Sequence, residues 1–298
     1  MKRYFILSIL AVCISTAYAQ ESANTFNNST SEEKKDVTLD IEPEVEFNVS
    51  PFENNFIPAP QVRSLDNILW KKTVWRMIDM REQVNYPLYY PLKESNGRVN
   101  LFLTIFNLLN EGKINAYVYN EDKEDFSEEA KLSIEEVLEK AQVQIYEPNN
   151  DPEDERQYII DEVDIPSEQV LKFYLKEIWY FDALESTMKF KIECIAPQIY
   201  YTDDDGIDQK SVMFWVPFDE LRPWLARQAV VINNKNSTSF ISYDDLFQKR
   251  RFVGHIYKED NIQNRALIEY CNTPEEVRSE QERIENEIRN FELDLWEY

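Results

Sequence analysis

The chain has 298 residues, a formal net charge of −24 and four glycines in total. Its acidity excludes binding to nucleic-acid phosphates, which needs clustered lysine and arginine, and charge repulsion disfavours direct binding to an anionic lipid surface. Four glycines are too few for the glycine-rich loops that cradle nucleotides. We therefore expect no cofactor, and we expect protein partners, with basic ones favoured electrostatically.

The first residues are typical of a secretory signal peptide that spans residues 1–19. Two basic residues precede an apolar core at residues 5–14, and the triplet Ala17-Tyr18-Ala19 follows. The core is too short to cross a bilayer, which takes roughly 20 residues. We expect cleavage after Ala19 and an exported chain that does not itself insert into a membrane. Lipidation of Cys13 is the alternative, although Val12 stands where a lipobox usually has a small residue.

Residues 20–60 predict an extended, flexible, acidic arm. They carry nine acidic against two basic residues and four prolines, with no sustained hydrophobic period. The end of the arm is more apolar, with Val45, Phe47, Val49, Phe52, Phe56 and Ile57. It either adds a strand to a partner's sheet or stays an unpaired linker. After the arm we expect a globular domain at residues 61–272 and a separate helix at residues 273–298.

We interpret residues 65–84 as the first helix of the domain. At 100° per residue its apolar side chains occupy almost the whole circumference, so this helix must be covered on several sides. Arg76, Asp79 and Arg81 lie within it, and charges in such surroundings need partners. Arg76 and Asp79 are three residues apart and are expected to pair with each other.

The remaining elements mix helices and strands. In the first half we expect turns at 85–91 and 96–97, a helix at 99–109 followed by Gly112, a strand at 114–119 and a helix at 127–141. In the second half we expect a helix at 166–177, strands at 179–181 and 188–194, a hairpin turned at Asp205-Gly206, helices at 219–227 and after Ser242, and strands at 230–232 and 252–257. These elements indicate an α+β domain with a mixed or antiparallel sheet and packed helices.

The C-terminal residues predict an amphipathic helix. Thr273 and Glu276 form a capping box around Pro274. One face of the helix is apolar, with Val277, Ile284, Ile288, Phe291 and Leu295. Docking of this face on the chain's own domain is favoured over docking on a neighbouring subunit.

No catalytic or metal site is predicted. His255, the one histidine, and the two later cysteines fall short of the four ligands of a structural zinc site. Residues 203–208 resemble a calcium loop, but the alignment puts Tyr201 and Val212 at ligand positions, so we interpret them as a hairpin turn.

Cys194 and Cys271 are the two cysteines that remain after signal cleavage. In an oxidising compartment they either form a disulfide or remain two buried thiols.

The segment at residues 69–91 resembles the signature region of the GldN/PorN family of Bacteroidetes. Stretches at 108–114, 177–182 and 293–298 agree with the family in order and position, so the resemblance covers about residues 65–298. The signature contains the candidate interaction residues Trp70, Trp75, Arg76, Asp79, Arg81, Asn85, Tyr86, Pro87, Tyr89 and Tyr90. Of these, the group formed by Trp70, Trp75, Arg76, Asp79 and Arg81 either builds the domain core or forms a subunit contact.

The resemblance implies a non-enzymatic structural subunit of a periplasmic ring in the type IX secretion and gliding machinery. Its implied partners are an outer-membrane lipoprotein of the GldK/PorK type, the periplasmic region of a motor protein of the GldM/PorM type, and further copies of the chain. The implied location is the periplasm, with attachment to the outer membrane through the lipoprotein. An exported hydrolase and a small-ligand binding module are the alternatives.

Overall fold

The structure is a computed structural model that describes Phe52 and residues 68–121, 124–182, 185–203, 206–232 and 240–296, with the backbone alone from residue 292. The expected signal peptide lies outside the described residues, as does the expected arm apart from Phe52. The described part is an α+β domain with antiparallel sheets, as the sequence predicts.

In the described residues, eleven strands form one large sheet and two short ribbons. The strands are β1 (Ile68–Asp79), β2 (Tyr117–Val118), β3 (Glu147–Pro148), β4 (Tyr158–Ile159), β5 (Val170–Asp182), β6 (Thr187–Thr202), β7 (Asp208–Val212), β8 (Phe214–Pro217), β9 (Ala229–Val231), β10 (Phe240–Ser242) and β11 (His255–Glu259). The large sheet has the order β11-β1-β5-β6-β8-β2, and β7 pairs with β6. Strands β3 and β4 pair with each other, as do β9 and β10.

Six α-helices accompany the sheets in the part of the chain that the structure describes, and most begin at caps that the sequence signals. They are α1 (Tyr86–Tyr89), α2 (Leu101–Asn110), α3 (Ile134–Lys140), α4 (Phe218–Leu225), α5 (Tyr243–Gln248) and α6 (Pro274–Trp296). The Ser242 hydroxyl accepts a hydrogen bond from the Asp245 amide, and the Thr273 hydroxyl accepts one from the Glu276 amide. Gly112 follows α2 with φ of +66°, which confirms its predicted place after a helix end.

The helix predicted at residues 65–84 is wrong, because most of this segment forms β1, an interior strand of the large sheet. Strands β5 and β11 pair with its two edges. Alternate residues of a strand point to opposite faces, and here both faces are covered. A strand that is buried on both faces is apolar at nearly every position. When such a run is plotted as a helix, its apolar residues appear on all sides, so the pattern does not distinguish a buried strand from a buried helix. The prediction that the segment is covered on several sides is confirmed.

The short helix predicted at residues 166–177 is also wrong. Strand β5 begins at Val170 and pairs with β1 on one edge and β6 on the other. These two partners satisfy its backbone hydrogen bonds, which a local pattern does not reveal. The alternating strand at 188–194 is confirmed as part of β6, and the hairpin is confirmed as the pair of β6 and β7.

Among the residues that the structure describes, three clusters of buried side chains pack on the sheet, and two of them join it to helices. The larger joins Ile78, Phe173 and Leu175 of the sheet to helices α2, α3, α4 and α5. The smaller joins α6 to the sheet and contains Val74, Ile256, Leu267, Ile284 and Ile288. The predicted docking of the C-terminal helix on its own domain is therefore confirmed.

Replacing Ile284 with alanine is expected to lower the free energy of unfolding by about 2–5 kcal/mol, because the fully buried side chain fills the contact between α6 and the sheet. Denaturation in urea measures this change. Arg278→Ala, on the exposed side of the same helix, is the matched control and should stay within about 0.5 kcal/mol of the parent. Equal losses in the two variants would contradict this docking.

Candidate functional site

The signature residues divide into an inner group on β1 and an outer group after it. Trp75 and Arg76 are buried in the domain, whereas Tyr86 and Tyr90 are 40% and 50% exposed. The inner group stabilises the fold, and the outer group forms a surface.

Trp75 lies on one face of β1 inside a set of charged side chains. Its indole Nε1 donates a hydrogen bond to Glu124 Oε1 at 2.7 Å. The ammonium groups of Lys176 and Lys258 lie 5.6 Å and 4.9 Å from the centre of its ring. Lys176 also pairs with Glu124 at 2.8 Å. These contacts attach the segment around Glu124 to this face of the sheet.

Arg76 lies on the opposite face, between the two buried clusters. Its Nε lies 3.4 Å from the carboxylate of Glu177, which is fully buried. Its Nη1 donates to the Gly254 carbonyl at 2.6 Å and to Glu285 Oε1 of α6 at 3.1 Å. A Cβ atom at Gly254 would stand only 2.9 Å from Arg76 Cδ, so this approach needs a glycine. Arg76 thus ties β1 to β5, to the segment before β11 and to α6.

A second guanidinium shares the buried carboxylate of Glu177. Arg250 Nη1 donates to Glu177 Oε1 at 3.0 Å, and Trp179 Nε1 donates to Oε2 at 3.2 Å. Burial lowers the pKa of Arg250, and the negative charge of Glu177 opposes that shift. We call Arg76, Glu177, Arg250 and Glu285 the ionic cluster.

The expected pair of Arg76 and Asp79 is wrong, because the two residues lie on a strand and point to opposite faces. Asp79 instead accepts hydrogen bonds from Arg81 Nε at 2.9 Å and Arg81 Nη2 at 2.5 Å. These bonds lower the pKa of the Asp79 carboxyl. The Arg81 side chain is 62% exposed, so this pair lies at the surface.

Asn85 fixes the turn between the inner and outer groups. Its buried side chain donates to the carbonyls of Asp79 and Val253, both at 2.8 Å. Its Oδ1 accepts a hydrogen bond from the Val253 amide at 2.9 Å. The turn is therefore held against the segment that leads into β11.

The tyrosines after Asn85 pack against one another. Tyr86 and Tyr90 meet edge to face with their ring centres 5.6 Å apart, and Tyr89 and Tyr90 do so at 4.9 Å. Tyr89 also donates from its hydroxyl to the Glu168 carbonyl at 2.9 Å. Pro87 lies within α1, and the bond between Tyr90 and Pro91 is cis. This packing leaves Tyr86 and Tyr90 at the surface.

Tyr86 and Tyr90, together with Val84 and Pro87, form one wall of a cleft of about 760 Å³. Residues 229–232, from β9 and its end, form another wall. Tyr243 contributes to the lining and donates from its hydroxyl to the Val99 carbonyl at 2.8 Å. We call this the tyrosine cleft.

Arg98 and Arg251 supply the charges of the tyrosine cleft. No aspartate or glutamate is among the described residues that line it. Within the same described residues, neither guanidinium has a carboxylate partner. A positive, aromatic cleft on a chain with a net charge of −24 is suited to a segment that carries both carboxylates and apolar side chains.

The other candidate positions show no converging chemistry. Cys194 and Cys271 are free thiols, so the disulfide that the sequence left open is not formed. Burial raises the pKa of the Cys194 thiol well above its ordinary value, which disfavours the nucleophilic thiolate. His255 pairs with Glu82 at 2.8 Å.

Neither the hairpin turn nor the described acidic side chains form a metal site. Asp203 Oδ1 accepts the Ile207 amide at 2.8 Å, as a turn requires. In the part of the chain that the structure describes, no three His, Cys, Asp or Glu side chains are grouped closely enough to hold a metal ion. No helix there has the length and apolar character that crossing a bilayer demands.

Comparison with known proteins gives the family. The model of the family described as "Gliding motility associated protein GldN" matches residues 63–297. The chain belongs to the GldN family. No curated protein matches it. The match includes both the inner and the outer group of signature residues, so it confirms the resemblance that the sequence showed.

The sequence does not predict several residues of the ionic cluster and the tyrosine cleft. Arg250 and Glu285 of the ionic cluster gave no signal, because their partners are 73 and 209 residues away along the chain. Arg98 and Arg251 of the tyrosine cleft are likewise remote from each other. A local pattern has no means of joining such positions.

Replacing Arg76 with alanine is expected to lower the free energy of unfolding by about 3 kcal/mol or more, because Glu177 stays buried with one cation fewer. Arg81→Ala is the matched control and should cost at most about 1 kcal/mol, since its ion pair is exposed. Urea denaturation followed by tryptophan fluorescence measures both. If the two variants unfold alike, the claim that Arg76 stabilises the domain is wrong.

Proposed function

We propose that this GldN-family chain is a non-enzymatic structural subunit of a periplasmic ring that serves type IX secretion and gliding motility. In this proposal it binds an outer-membrane lipoprotein of the GldK/PorK type and the periplasmic region of a GldM/PorM-type motor protein. The lipoprotein holds it at the outer membrane. The family match over residues 63–297 supports a gliding-motility role, and the ring, its partners and the location are proposed on the family resemblance.

The family match carries this proposal, and the tyrosine cleft is its candidate contact surface. Val84, Tyr86 and Tyr90 are 54%, 40% and 50% exposed and lie next to one another along the chain. Tyrosines that are held rigidly at a surface are favourable contact residues, because they bury much area at small entropic cost. The same signature stretch provides the buried strand β1, so the contact surface is attached directly to the centre of the fold.

The proposal is tested by isolating the native outer-envelope fraction and examining it by negative-stain electron microscopy. We expect rings that contain this chain together with the lipoprotein, as detected by mass spectrometry of the same fraction. Recovery of the chain as a monomer, with the lipoprotein in separate fractions, would contradict the proposal.

The double change Tyr86→Glu and Tyr90→Glu is expected to reduce incorporation into rings at least tenfold, since it places two charges in an apolar contact (roughly 1.4 kcal/mol is tenfold). The thermal unfolding midpoint should change little, because both side chains are exposed. Ile262→Glu alters an apolar side chain that is fully exposed elsewhere, and it serves as the control. Normal incorporation of the tyrosine variant would show that the tyrosine cleft is not part of the contact.

A further inference from the structure

The tyrosine cleft is positively charged, whereas the chain as a whole has a negative net charge. Arg98 and Arg251 line it without a carboxylate partner among the described residues. The chain as a whole carries 56 acidic against 32 basic residues. An unpaired arginine at an apolar surface favours a carboxylate from a binding partner. The occupant of the cleft should therefore be acidic and also apolar.

Residues 42–50 of this chain have that combination. Their sequence is Glu-Pro-Glu-Val-Glu-Phe-Asn-Val-Ser, in which Val45, Phe47 and Val49 alternate with Glu44, Glu46 and Asn48. In an extended conformation the apolar side chains would share one side and the carboxylates the other. Such a segment can offer its apolar side to Tyr86 and Tyr90 and its carboxylates to the two arginines.

One wall of the cleft also suits an extended segment. Strand β9 provides Ala229, Val230 and Val231 to this wall. It pairs with β10 and has no other strand partner in the described part of the chain. A strand with an open edge can add an extended peptide through backbone hydrogen bonds.

The distance between Ile68 and the cleft lies within the reach of the arm. The chain enters the sheet at Ile68 and leaves β1 at Asp79, and the cleft begins beyond that end, at Gln83. A strand of 12 residues is about 40 Å long. Residues 51–67 span at most about 60 Å, so residues 42–50 can reach the cleft of their own domain or that of a neighbouring copy. Self-association in the proposed function selects the neighbouring copy.

We propose that residues 42–50 of a second copy of this chain bind in the tyrosine cleft and join the copies head to tail. A contact between two different surfaces of identical subunits repeats from copy to copy, and it closes into a ring when the rotation permits. The inference rests on the self-association in the proposed function and names the surfaces that produce it.

The test uses the full chain from Gln20 and sedimentation velocity to measure self-association. The double change Arg98→Glu with Arg251→Glu reverses the charge of the cleft. The double change Glu44→Arg with Glu46→Arg reverses the charge of the arm segment. Each double variant is expected to self-associate at least roughly tenfold more weakly than the parent chain. Arg278→Glu with Arg289→Glu changes the charge of α6 by the same amount as the cleft variant and should leave association unchanged. Circular dichroism verifies that each variant is folded.

Mixing the two reversed variants provides the decisive comparison. In the mixture a basic arm meets an acidic cleft and an acidic arm meets a basic cleft, so association should return to near the parent level. Recovery in a single chain that carries all four changes, without recovery in the mixture, would show that the arm binds its own cleft and would overturn the proposal. Parent-like association of the cleft variant would overturn it as well.

The lipoprotein separates this inference from the proposed function. If the cleft variant associates like the parent and is still captured by the purified lipoprotein, the arm contact is wrong while the ring proposal stands. If the parent chain is not captured by the lipoprotein at all, the ring proposal itself fails.

Discussion

The carboxylate of Glu177 is fully buried, and the rest of the domain depends on how its charge is satisfied. Arg76 and Arg250 share it, and Arg76 reaches further to the Gly254 carbonyl and to Glu285 of α6. A buried charge without such partners would be strongly destabilising. The ionic cluster therefore requires β1, β5, the segment before β11 and α6 to be in place together, at the point where the two buried clusters meet.

This arrangement explains why one stretch of sequence has two roles. The part on β1 is inside the domain, where Trp75 and Arg76 each connect the strand to distant segments. The part that follows is turned outward by Asn85, whose side chain binds the backbone of Asp79 and Val253. Tyr86 and Tyr90 therefore reach the surface on a rigid support, and rigid support lowers the entropic cost of a contact. In this chain, the interior of the fold and its proposed contact surface are parts of one segment.

The sequence predicts the local features of this fold and misses those that arise from pairing between distant segments. The caps at Ser242 and Thr273 were predicted because a cap joins residues three positions apart. The sequence predicts a helix over most of β1 and over the first half of β5, and both predictions are wrong. Each strand is paired along both edges with segments far away in the chain, which a local pattern does not show. The sequence marks Trp75 and Arg76 as candidate interaction residues. Their position inside the domain follows from their partners Glu124 and Glu177, which lie 49 and 101 residues away along the chain. The sequence does not predict the tyrosine cleft for the same reason, because part of its lining comes from the distant residues 229–232.

The central claim is that the signature has an inner scaffold and an outer contact surface, and hydrogen–deuterium exchange tests it most directly. Exchange is compared between the isolated chain and the native assembly from the outer envelope. The account predicts that amides of residues 83–91 become protected in the assembly, while those of β1 are equally protected in both because they are already paired with β5 and β11. Unchanged exchange at residues 83–91, with new protection in β1, would contradict it.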